Sequence, residues 1–210
     1  MERNVVMSPT SIKDGHLLYH QTELKNLQSI LETGLLSRAM LTSQNLPFRD
    51  VADPQIIEGR VVEGWDNYVP FHFHPRTTFD YRIRYDHPND AFVFLCMYRN
   101  VAERCGALIL TAHPLSNMKP QAFQYSDGFN QIDWDTMELT QGEVGYNSQI
   151  RMAECLIRDK VDIGNICIIY VKSPADKEVV ERMLREKNIR HIKVYIGETF
   201  FGTQQRMIMF

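Results

Sequence analysis

Three runs of this 210-residue chain are apolar at consecutive positions: AFVFLCMY (91–98), GALILTA (106–112) and ICIIYV (166–171). A strand shows its side chains to opposite faces in turn, so an apolar run without alternation needs cover on both faces. The runs are far shorter than the roughly 20 residues that span a bilayer. They commit the chain to a sheet buried inside a layered domain.

Other segments supply the layers. HLLYHQ (16–21) reads as a strand, and TELKNLQSILETG (22–34) as a helix capped by Thr22, with Leu24, Leu27, Ile30 and Leu31 on its apolar face and Gly34 as its stop. YVPFHFHP (68–75) alternates, with Val69, Phe71 and Phe73 on one face and Tyr68, His72 and His74 on the other. Its Pro70 cannot donate to a ladder, which points to an edge or a strand start. Towards the C-terminus ADKEVVERMLREKN (175–188) reads as a helix with Val179, Val180, Met183 and Leu184 inward, followed by strands in HIKVYIG (191–197) and QQRMIMF (204–210). Two stretches, 37–66 and 113–150, lack sustained periodicity, and only DWDTMEL (133–139) in the second hints at helical turns. Irregular stretches of this length are functional loops or disordered segments. The first 15 residues read as a loose arm, and the whole of 1–210 as one α+β domain with a mostly β core and few peripheral helices.

Composition excludes more than it assigns. A formal charge of -3 gives no global attraction to polyanions, so a nucleic-acid site would be a local basic patch. The N-terminal MERNVVMSPTSIKDGH has no apolar signal core, so a cytoplasmic location is expected. The four cysteines form no CxxC, and Cys96, Cys155 and Cys167 sit in apolar text where a thiol behaves as a small hydrophobe. There is no GxGxxG after a strand, no GxxxxGK[ST] and no GxSxG, which removes the dinucleotide fold, the P-loop and the serine-hydrolase elbow.

Three constellations have chemistry in them. In FHFHP, His72 and His74 share a strand face, as in the start of a metal site, but no third and fourth ligand follow at a ligand spacing; a polar face lining a cleft is the other reading. In PRTTFDYRIRYDH, Arg76, Arg82 and Arg84 stand among Phe79, Tyr81 and Tyr85, which suits phosphate contact with base stacking, or equally an amphipathic strand with a solvated arginine face. In QIRMAECLIR, Glu154 opens an apolar run. A buried carboxylate costs several kcal/mol unless it is paired, so it is either satisfied by a neighbour such as Arg151 or Arg158 or kept for function.

Taken together, LLYHQTELKNLQSILETGLLS (17–37), IIEGR (56–60), DNYVPFHFHPRTTFDY (66–81) and MAECLI (152–157) resemble, in this order, the DarT family of DNA ADP-ribosyltransferase toxins. The resemblance implies a mono-ADP-ribosyltransferase-like split β core that binds NAD as substrate without a Rossmann sheet and without a metal. It implies that His20, Gln21, Thr22, Ser29 and Ser37 line the NAD site, and that Arg60 and Glu154 are the catalytic pair, with Arg60 also contacting NAD. Residues 37–66 would fold over NAD, and 113–150 would present the nucleic acid. Single-stranded DNA is the implied partner, contacted by Tyr68, His72, His74, Arg76, Arg82, Arg84 and Arg151, with an antitoxin, such as an ADP-ribosyl-removing macrodomain protein, as a second. Where the family often has YVPFYF-x-PRSPMLY this chain has YVPFHFHPRTTFDY, which leaves the modified base open; the alternatives are the same reaction on RNA or protein, or a non-catalytic nucleic-acid-binding module on the same fold.

Overall fold

The structure is a computed structural model, and it describes residues 11–49, 52 and 54–201. Its centre is one eight-stranded sheet in the order β10-β9-β4-β1-β3-β7-β5-β6. These strands are β1 (Leu17–Glu23), β3 (Tyr68–His72), β4 (Phe92–Tyr98), β5 (Leu108–Leu110), β6 (Ala122–Gln124), β7 (Glu154–Arg158), β9 (Ile168–Val171) and β10 (Lys193–Ile196). A two-stranded ribbon pairs β2 (Leu35–Leu36) with β8 (Lys160–Val161). Within the large sheet β9 and β10 are parallel and every other pairing is antiparallel.

The non-alternating runs are the buried strands they were read as. Along β4, Val93, Leu95 and Met97 enter the larger apolar cluster, while Phe92, Phe94 and Cys96 enter a smaller one on the opposite face. The larger cluster is closed by α1 (Leu27–Thr33) through Leu27, Ile30 and Leu31, and by α9 (Pro174–Glu186) through Val180 and Leu184. The smaller one is closed by α4 (Thr78–Asp86) through Ile83 and by α10 (Glu198–Phe201) through Phe201.

Several expectations change. Thr22 is not a helix cap: the strand runs on through Glu23, a 3-10 turn covers Leu24–Asn26, and Asn26 donates its side-chain amide to Thr22 Oγ1 at 3.3 Å. Gly34 does stop the helix, at φ 85, a region open to glycine without a Cβ penalty. The stretch 37–66 contains α2 (Arg38–Ser43), capped by Ser37, and α3 (Pro54–Val62), with proline in the first helical position where its missing N–H costs nothing. The stretch 113–150 contains β6, α6 (Tyr125–Gln131), α7 (Trp134–Glu138) and α8 (Ser148–Arg151). Helices are thus more numerous than expected, the remaining one being α5 (Arg99–Arg104). The expected strand at 204–210 and most of the expected arm lie outside the described residues.

Pro70 is not at an edge. The strand β3 sits between β1 and β7 and pairs with β7 along its whole length, but it meets β1 at the single pair Tyr19–His72. Beyond that pair the two strands part, and the sheet is split. The Pro70 carbonyl points into the split, where it accepts a hydrogen bond from His20 Nδ1 at 2.8 Å. The Pro70 nitrogen lies on the same side, so its missing N–H falls where no neighbouring strand would have used it.

Candidate active site

The split opens a cleft, and it gathers what the sequence spread over fifty residues. His20, Gln21, Thr22, Ser29, Ser37 and Arg60 all line it, as do Tyr68 and His72. One wall is β1 and the helix that follows; the opposite wall is the 37–66 segment, through Leu41, Pro47, Phe48 and Ile56. That segment is tied down at Arg49. Asn26 clasps the Arg49 backbone, accepting from its N–H and donating to its carbonyl, both at 3.0 Å. The Arg49 side chain reaches the wholly buried Glu23 at 2.9 Å and Asp90 at 2.6 Å.

Arg60, on the lining of this cleft, is paired with Glu154. Arg60 donates from one nitrogen, Nη1, to both oxygens of Glu154, at 2.9 and 3.0 Å, with Arg60 7% and Glu154 3% exposed. Gly59 helps place this arginine: a Cβ there would stand 2.6 Å from the Leu115 side chain, so glycine lets α3 close on the turn after β5. Glu154 starts β7, opposite His72 on β3. Neither Arg151 nor Arg158 pairs with it. Arg151 turns away to the carbonyls of Met137 and Leu139, and Arg158 lies beside Asp159 and over the Tyr68 ring. A buried ion pair gives little net stability, since desolvation offsets the attraction, so a pair beside an open cleft argues for use more than for support.

The histidines are held in defined roles. A carbonyl only accepts, so His20 carries its proton on Nδ1 towards Pro70, and burial brings its pKa down to about 4. The neutral ring therefore offers Nε2 as an acceptor at ordinary pH. His72 Nδ1 is likewise fixed on the Ala153 carbonyl, and its ring lies 6.4 Å from that of Phe79. His113, missed in the sequence, follows β5 and is held by its own N–H to the Gln149 carbonyl. Burial lowers its pKa, with Glu154 acting in the opposite sense. Its only sequence signal is a histidine just past a buried strand.

The residues assigned to nucleic acid divide. Tyr68 and His72 line the cleft, and Arg76 and Arg82 are on the surface, the latter 2.6 Å from Asp86. His74 is buried on the Arg151 carbonyl, and Arg151 is committed to carbonyls as above. Arg84 is half-buried, donating to Gln21 Oε1 at 2.7 Å. These arginines do not stand on a strand: Thr77 and Asp80 form a reciprocal capping box that starts α4. Among the described residues no three His, Cys, Asp or Glu side chains gather to hold a metal, and no helix is long and apolar enough to cross a membrane.

Residues 19–202 match the family described as ssDNA thymidine ADP-ribosyltransferase, DarT. This chain belongs to the DarT family. A DNA ADP-ribosyl transferase-DNA ADP-ribosyl glycohydrolase fusion protein of Thermosipho africanus (strain H17ap60334) is 30% identical over 203 residues, 91% of this chain and 50% of that protein. The chain therefore spans about half the length of that curated relative. The Thermus sp. 2.9 DarT in complex with ADP-ribosylated ssDNA superposes with a TM-score of 0.75 at 21% identity, over 88% of this chain and 95% of that one. Its complex with NAD+ gives 0.71 at 19% identity, over 88% and 96%. These likenesses establish the DarT fold, a mixed sheet with several helices, for this chain.

Proposed function

We propose that this chain cleaves NAD+ and transfers the ADP-ribose to a thymine base of single-stranded DNA, releasing nicotinamide. The observation that carries the reading is that Arg60, which lines the cleft together with His20, Thr22, Ser29 and Ser37, is paired with the buried Glu154. The Thermus relative described as bound to NAD+ and the one bound to ADP-ribosylated ssDNA support the choice of both substrates.

The residues fit NAD+ as substrate. His20 presents Nε2 to a ribose hydroxyl, with its other nitrogen locked by Pro70. Arg60 spends Nη1 on Glu154 and has Nη2 3.5 Å from the Trp65 carbonyl, which leaves Nε and a second Nη2 hydrogen for a pyrophosphate oxygen. Glu154, closed off from water, sets a negative charge where the ribose carbon becomes positive as nicotinamide departs. The attacking base nitrogen must lose a proton, and in this reading the Glu154 carboxylate takes it. A single strand suits this site because a base edge is already exposed, whereas flipping it from a duplex costs a few kcal/mol.

The fusion of the Thermosipho relative with a glycohydrolase supports a toxin role with an ADP-ribosyl-removing antitoxin as partner. The cytoplasm is the location that goes with a DNA substrate. The test is mass analysis of matched DNA and RNA oligonucleotides after incubation with NAD+. An ADP-ribose increment on thymine-containing DNA is expected; an increment on RNA alone, or on neither, would overturn the DNA assignment.

A further inference from the structure

Gln21 has a buried hydrogen-bond donor with nothing to donate to. It lines the cleft, is 9% exposed, and its Nε2 has no partner among the described residues. Which end of the amide is the nitrogen is fixed by chemistry. Arg84 Nη1 stands 2.7 Å from the other end, and a guanidinium only donates, so that end is the oxygen. Arg84 is itself kept in place, half-buried on α4 with its guanidinium 6.0 Å from the centre of the Phe201 ring. A buried amide without an acceptor is destabilising, so one left open beside a cleft calls for a partner.

The surroundings select the ligand. Phe79 and His72 line the cleft with their rings 6.4 Å apart, and Ile83, one residue before Arg84, is buried beside them. Two rings and an aliphatic side chain beside one unpartnered donor, with the neighbouring Asp80 carboxylate already engaged by Thr77, suit a planar heteroaromatic ring bearing a carbonyl oxygen. We infer that Gln21, oriented by Arg84, is a specificity-determining residue that donates from Nε2 to such a carbonyl. Two parts of the proposed reaction carry one: the carboxamide of the nicotinamide end of NAD+, and thymine. The assignment rests on the function proposed above. It moves Arg84 from nucleic-acid contact to a positioning role.

The experiment uses Gln21→Glu, which keeps an oxygen for Arg84 but puts an acceptor where the donor was, and Gln21→Met, which removes the donor without adding charge. Binding of NAD+, ADP-ribose, a dT oligonucleotide and a dA oligonucleotide is measured by calorimetry, with the melting temperature as a check on folding. ADP-ribose lacks the nicotinamide, and dA lacks a base carbonyl. If the nicotinamide is the ligand, NAD+ binding weakens about tenfold in the Glu variant and 3- to 10-fold in the Met variant, while ADP-ribose stays within twofold. If thymine is the ligand, dT weakens by the same factors and dA does not. Equal loss for NAD+ and ADP-ribose with equal loss for dT and dA, or no loss anywhere, overturns the inference. A wild-type chain that binds neither NAD+ nor ADP-ribose would instead overturn the proposed function.

Discussion

Two arginines of this protein are equally buried, and they do opposite things. Arg60 and Arg99 are each 7% exposed. Arg60 faces a carboxylate at the end of an open cleft. Arg99, which starts α5, faces no carboxylate at hydrogen-bonding distance among the described residues. It donates to the carbonyls of Ile12, Lys13, Leu17 and Phe73 and lies against the rings of Phe73, Phe129 and Trp134. Both stand beside a cavity, but one cation anchors the chain before β1 to the sheet, while the other is held against a carboxylate. Burial alone does not distinguish an architectural charge from a chemical one. The partner does, since carbonyls and rings offer nothing to react with, whereas a buried carboxylate can take a proton or stabilise a cation.

The contrast is sharpest at Glu154→Gln. This near-isosteric change should lower ADP-ribose transfer about 1,000-fold, read by oligonucleotide mass increments, while NAD+ binding persists and the fold is kept. A transfer rate within tenfold of wild type would put the pair on the architectural side. The mirror change, Arg99→Met, strands several carbonyls and should cost about 3 kcal/mol in denaturant unfolding, roughly 10 °C of melting temperature, with activity per folded molecule unchanged. Loss of turnover without loss of stability there would erase the distinction. Between them, Arg60→Lys keeps the charge but not the planar fork, and should reduce transfer about tenfold with little change in melting temperature.

The smallest effect concerns protons. His20 has its pKa lowered to about 4 from 6.5, and the buried His74 and His113 move in the same direction. The unfolded chain then takes up protons first, so these groups leave stability intact above about pH 6.5 and erode it as pH falls towards 4. His20→Asn should make that acid limb shallower in unfolding curves recorded from pH 7 to 4. An unchanged slope would mean that His20 is as solvated as an ordinary surface imidazole.

The fold was legible wherever periodicity carried it. Runs such as FVFLCMY declare a doubly covered strand, because a strand's two faces are both written in consecutive letters. The split was not legible: Pro70 reads as an edge signal, and only the structure shows that a central strand tolerates it because β1 turns away. DWDTMEL hinted at α7, but the other helices of 37–66 and 113–150 were missed because most are short. Those of four to seven residues, such as α2, α6 and α8, give too few turns for an apolar stripe to show. At the site, local chemistry offered Glu154 the wrong partners, Arg151 and Arg158, because sequence proximity stands in poorly for contact. Arg60 lies 94 residues away, and only the ordered family motifs joined the two.

The hydrogen bond from His20 to Pro70 has an evolutionary consequence. Where β1 and β3 part, an imidazole takes the position of a backbone rung, and the same ring offers its free nitrogen to the cleft. Substitution at this position is therefore judged twice, once for closing the gap and once for what it presents to the ligand. A chain that drifts away from the chemistry would have to mend its sheet in the same step, which ties the persistence of this histidine to the architecture as much as to the reaction.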